Sequence, residues 1–164
     1  VIDQGIKSLE DTAADVEART RNKTIQPDSD EPTHRQLAEA HRILEVATEC
    51  LENLCTHEQN RNSLSGLQLQ GQPIILLHVQ VNKDVKQAKV YWTLPYSVLL
   101  DPNVTQRVYQ KLVEVVQDQL IQRGGAKRLA RELSSRLRFY YPPRIRLVPA
   151  KHAMIQQAIE EFHE

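Results

Sequence analysis

Between residues 123 and 151 the sequence holds nine Lys or Arg residues and a single acid, Glu132. The block opens on Arg123-Gly124-Gly125-Ala126-Lys127-Arg128 and continues through Arg131, Arg138, Arg144 and Arg146. Glycine lets a phosphate or sugar come close to the main chain. A helix that starts beside it offers unpaired N–H groups and a partial positive charge. Lys127, Arg128 and Arg131 would fall in the first turns of such a helix and add counterion-releasing contacts. Tyr140 lies near the same stretch and can stack on a base. The chemistry is anion binding, and a polyanionic backbone fits it. A glycine pair is also an ordinary way to end one helix before the next, so the charge carries the reading.

The neutral net charge hides this block. Residues 1–58 carry 13 acids against 6 bases, and residues 152–164 carry three acids and no base. Such asymmetry points to an anionic partner for the basic part and an acidic appendage elsewhere. With 164 residues, 40% hydrophobic and 26% charged, the chain can build one core plus some appended structure. The longest apolar run, Ile74 to Leu77, is strand-sized, so no membrane span is expected.

Other reactive side chains do not assemble a site. His41, Cys50, Cys55 and His57 lack the paired two-to-four-residue spacing of a structural zinc site, so no metal is expected. Cys50 and Cys55 are expected as free thiols in a reducing compartment. Asp84 falls in a tight strand connection, where Asp commonly bonds its own backbone. The chain has no phosphate-cradling lysine loop, dinucleotide fingerprint or nucleophile elbow. A binding role without catalysis or cofactor is expected.

The elements that must position the basic block follow from periodicity. Residues 1–32 read as a one-sided helix (Ile2, Ile6, Leu9, Ala13, Val16) and an acidic linker around Pro27 to Pro32. Thr33 with Gln36 makes a possible capping box. It opens a helix whose stripe is Leu37, Ala40, Leu44, Ala47, Leu51 and Leu54. Residues 56–73 read as a loop in which Leu64, Leu67 and Leu69 pack locally. Ile75, Leu77, Val79 and Val81 then alternate as one inward strand face, followed by Ala88, Val90, Trp92 and Leu94 on a second strand, an antiparallel hairpin. Asp101-Pro102 starts a helix with Val104, Val108, Leu112, Val115 and Leu120 inward. A third helix aligns Ala126, Ala130, Leu133 and Leu137; Pro142-Pro143 stops it, and Arg144 to Val148 form a last strand. Residues 152–164 close the chain with a helix bearing Ile155, Ile159 and Phe162. The class is α+β, in the order α-β-β-α-α-β over residues 33–151.

Two stretches carry a family resemblance. Val81-Asn82-Lys83-Asp84-Val85-Lys86-Gln87-Ala88-Lys89-Val90-Tyr91-Trp92 resembles the ribosome-binding factor A family, in which a strand end and an Asp lead to Ala-x-Val-Tyr. Leu133 to Leu147, with Arg136-Leu137-Arg138-Phe139 and Pro143-Arg144-Ile145-Arg146-Leu147, is similar to its closing arginine-rich helix, proline and strand. The resemblance covers residues 33–151 and implies a type II KH-like domain. The family bends its helices at Ala-x-Gly; this sequence offers Gly125-Ala126-Lys127 there. What the resemblance implies is a non-catalytic assembly factor that binds small-subunit rRNA during late maturation, beside ribosomal proteins and other assembly factors. Leu54-Cys55-Thr56, and Trp92 after Tyr91, are more similar to organellar members, so a mitochondrial matrix location is expected, with a bacterial cytoplasm or chloroplast stroma as alternatives. A permanent structural RNA-binding subunit of a large ribonucleoprotein, such as a mitoribosome, is the rival reading, its terminal helices then docking on neighbouring proteins.

Overall fold

The computed structural model describes residues 31–58, 66–137 and 143–162. The chain divides into two compact units, residues 1–33 and 34–164, and the second is built as follows. Helix α1 (His34–Glu58) leads to a small hairpin, β1 (Gln68–Leu69) and β2 (Gln72–Pro73). Strands β3 (Ile75–Val81) and β4 (Gln87–Thr93) come next, then a short helix α2 (Tyr96–Leu99). Helices α3 (Gln106–Gln122) and α4 (Gly125–Leu137) precede strand β5 (Arg144–Pro149) and helix α5 (His152–Phe162).

The main sheet runs β3-β4-β5, with β4 antiparallel to β3 and parallel to β5. Ala88, Val90 and Trp92 of β4 point to one face and are fully buried. Ile145 and Leu147, their register partners' phase on β5, pack on the same core. Ile43, Ala47, Cys50 and Leu51 of α1 fill that core, together with Leu129, Leu133 and Leu137 of α4. Both helices therefore cover one sheet face, and alternate strand residues project from the other.

Several expectations shift in register. β3 is not a simple alternation: a bulge between Leu76 and His78 puts Leu76, not Ile75 and Leu77, inside with Val79 and Val81. One extra residue reverses the facing of everything before it. Helix α3 begins at Gln106, not after Asp101, because Thr105 is the N-cap, its hydroxyl accepting from Val108 N at 3.3 Å. Asp101 instead accepts from Asn103 N, 2.9 Å, within the preceding turn. Its buried line is Val116 and Leu120 flanked by Tyr109, Leu112 and Val113, while Val108 and Val115 are exposed. On α4 the inward stripe is Leu129, Leu133 and Leu137, with Ala126 at its edge rather than leading it.

The stretch expected as a loop contains the β1–β2 hairpin, turned by Gln70 (φ 56) and Gly71 (φ 80). Two successive left-handed residues are what a type I′ two-residue hairpin requires. Leu67 is fully buried beside it; Leu64 lies outside the described residues. Helix α5 rests on the sheet near β3, burying Ile155 and Ala158 and stacking Phe162 on Tyr96 with ring centroids 4.5 Å apart.

Candidate nucleic-acid interface

The joint between α3 and α4 is two residues, Arg123 and Gly124. Arg123 is the C-cap of α3, its N–H donating to Gln119 O at 2.8 Å. Gly124 then adopts φ +78, the left-handed C′ position that glycine occupies without strain. Its carbonyl accepts the first bond of α4, from Arg128 N at 2.9 Å. A Cβ built on Gly124 would meet nothing within 4 Å, so the space above this residue is open. Lys127, Arg128 and Arg131 are exposed on α4. With Leu129, Leu133 and Leu137 facing the sheet, a 100° step per residue turns Arg128 and Arg131 almost directly away from it.

Gly125 and Ala126 depart from expectation. Gly125 is buried and Ala126 packs against the core, so both serve the close approach of α4 to its neighbours. The outer parts of the joint are Arg123, Gly124 and Lys127. Arg138 and Tyr140 lie outside the described residues.

The basic block, continuous in sequence, is divided between two surfaces. Arg144 and Arg146 alternate with the core residues Ile145 and Leu147, so they project from the sheet face that α1 and α4 do not cover. There Arg146 stands opposite Lys89, and Arg144 opposite Gln87. Lys89 was visible in the sequence only as an outward residue of its strand. Its pairing with Arg146 depends on which strand β5 joins, which periodicity does not report. Lys151 belongs to the same side, its Nζ 5.9 Å from the centre of the Tyr91 ring.

Arg136 is engaged internally. Its Nε donates to Glu132 at 3.3 Å, and in the amide orientation that satisfies both groups, Asn53 Oδ1 accepts from its terminal nitrogens at 2.9 and 3.3 Å. Arg42 of α1 donates to the Leu137 carbonyl, fixing the far end of α4. These contacts hold the cationic helix in place without using its outer face.

The sulfur and imidazole groups have local roles. Cys50 and Cys55 are thiols outside any disulfide and are buried in the core, and burial pushes the Cys50 thiol above its usual range. His41 pairs with Glu45 at 3.2 Å on the surface of α1, and His57 Nδ1 lies 2.9 Å from Asn53 O. Among the described residues no three His, Cys, Asp or Glu side chains are grouped to hold a metal. None of the described helices is long and apolar enough to cross a membrane. Asp84 Oδ1 accepts from Lys86 N at 3.2 Å, the local backbone bond expected of it.

No protein-family model matches the sequence, and no curated protein matches it. Among solved structures, the chain is similar to a Thermotoga maritima protein, determined by solution NMR and described as a candidate ribosome binding factor A. The two superpose with a TM-score of 0.46 at 20% identity, over 76% of this chain and 94% of that one.

Proposed function

We propose that residues 33–151 form a type II KH-like domain that binds small-subunit rRNA, and that the protein acts as a ribosome-binding factor A-like assembly factor during late maturation of the mitochondrial small ribosomal subunit. The action is by occupancy: the domain holds immature rRNA and excludes later ligands, with no catalytic step. The observation that carries this reading is the open, positive-φ Gly124 set between Arg123 and the exposed cations Lys127, Arg128 and Arg131. Such a joint lets a sugar-phosphate chain approach the backbone while guanidinium and ammonium groups release its counterions. The motifs at Val81 to Trp92 and Leu133 to Leu147 supply the ribosomal part of the reading, and Leu54-Cys55-Thr56 the organellar part.

The test is the triple variant K127E/R128E/R131E, assayed for binding to small-subunit rRNA across a salt series. Wild-type affinity should fall with salt, and the variant should lose measurable binding while its unfolding midpoint stays close to wild type. Unchanged affinity at moderate salt overturns the assignment of this face. Sedimentation of the tagged protein tests the timing: it should travel with immature small subunits, and co-sedimentation with translating ribosomes overturns a transient role. Fractionation of cells should place it in the mitochondrial matrix.

A further inference from the structure

We infer that the outer face of the sheet is a second RNA phosphate-binding surface, so that the domain bridges two RNA segments rather than holding one. This rests on the RNA-binding reading and deepens it. Across the β4–β5 pair, Lys89 and Arg146 are direct register neighbours. Like charges placed opposite each other in a sheet repel and destabilise it. None of the other outward strand positions, Ile75 and Thr93 included, is a carboxylate; the acid on this side is Glu161 of α5, which lines a cavity with His78 at the β3 end, away from β5. No ion pair to Lys89, Arg144 or Arg146 occurs among the described residues. The sheet thus carries facing cations with no anion between them. A phosphate backbone laid across β4 and β5 supplies that anion. Arginine favours it, because the guanidinium fork matches phosphate oxygens two at a time.

The face is held firmly beside the charges. Tyr91 is buried, its hydroxyl donates to Gln80 Oε1 at 3.0 Å, and Lys151 lies over its ring. Beside Lys89 a groove of about 390 Å³ runs along Gln80, Asn82, Lys83 and Gln87. It places amide groups, able to bond sugar hydroxyls, next to one more ammonium group, that of Lys83. Arg144 and Arg146 are about 6.6 Å apart along the strand, comparable with the step between successive phosphates of an extended chain. The core separates this face from the outward side of α4 by at least one helix diameter, about 10 Å. A single short duplex cannot lie on both.

The experiment is two-colour capture. One short RNA hairpin is tethered to a surface, the full chain is added, and a second labelled hairpin of the same sequence follows. Wild type should capture the first hairpin and recruit the second. The variants K89E/R144E/R146E and K89Q/R144Q/R146Q should keep the first capture and lose the recruitment. The salt slope of first-hairpin binding should stay at the wild-type value, while the second binding event of wild type, with a slope of about −2 to −3 for three cations, should be absent from the variants. The Gln set guards against misfolding: it removes the repulsion between positions 89 and 146, so its unfolding midpoint should be at or above that of wild type, whereas the Glu set sets two carboxylates opposite each other in the same register. Recruitment by these variants at the wild-type level overturns the second surface alone. Failure of wild type to capture even the first hairpin overturns the RNA reading itself. If poly-glutamate displaces the second hairpin as well as RNA of equal charge does, the face serves an acidic protein and the inference falls.

Discussion

Gln36, near the start of α1, donates from Nε2 to the carbonyl of Val81, the last residue of β3, at 2.8 Å. The side chain is 7% exposed, so this amide bond across the layer between helix and sheet is made away from water. It closes the ladder end where β3 leaves the sheet and fixes the first turn of α1 over it. Gln36→Leu removes the donor and leaves the carbonyl without that partner. The expected cost is about 1–3 kcal/mol, read as a lowered urea midpoint with unchanged slope.

Gly66 and Gly124 both have positive φ, +86 and +78, yet they should differ on replacement. A Cβ at Gly124 enters open space, so Gly124→Ala costs only the left-handed backbone, about 1–2 kcal/mol. A Cβ at Gly66 lands 2.8 Å from the carbonyl carbon and oxygen of Gln119, backbone that cannot swing aside. Gly66→Ala should therefore lower the melting temperature more than Gly124→Ala. Equal melting temperatures would mean that the approach of this loop to α3 is readily relieved.

Tyr109 links α3 to the sheet through a 2.6 Å bond between its hydroxyl and that of Thr93. Burial is the main cause that raises its phenol above the ordinary value of 10, and the bond to Thr93 partly offsets this. A folded-state value above the unfolded one leaves its stabilisation fully present below pH 10. The stabilisation is lost as pH rises through the folded value. Stability should thus decline above about pH 10, the ordinary phenol value. Tyr109→Phe should remove part of that decline while lowering stability at neutral pH by about 1 kcal/mol. A Phe variant with the wild-type alkaline profile would assign the decline to other groups, such as Cys50.

Trp92 is the single tryptophan of the chain and is 1% exposed at the centre of the core. Its emission should be blue-shifted in the native state and move red in one step on unfolding. Trp92→Ala should cost about 3–5 kcal/mol; a smaller loss in equilibrium unfolding would mean that neighbouring helices collapse into the space.

The inward phase of β4 was legible because Ala88, Val90, Trp92 and Leu94 alternate without interruption. β3 was not, because its run Ile74 to Leu77 is apolar at every position, and only the bulge decides which side chain turns in. On α3, Val108 and Val115 have the hydropathy of core residues. Their exposure depends on where the helix starts, and the Thr105 cap competes with the equally plausible Asp101. The basic joint was legible from charge and glycine. The splitting of the cations into two faces was not, since Lys89 and Arg146 meet only through a parallel pairing between residues far apart in the chain.

That same pairing sets the order in which the domain can be completed. β4 acquires β3 across residues 82–86, but its other edge waits for β5 until residues 94–143 have passed, where Trp92 O finally accepts from Ala150 N at 2.7 Å. Non-local closure of this kind is slow because loop entropy is lost before contacts reward it. Until then the Val90-Tyr91-Trp92 segment presents an apolar, unpaired strand edge. During synthesis and refolding this edge is the hazard for self-association, and a chain truncated before Arg144 would keep it exposed permanently.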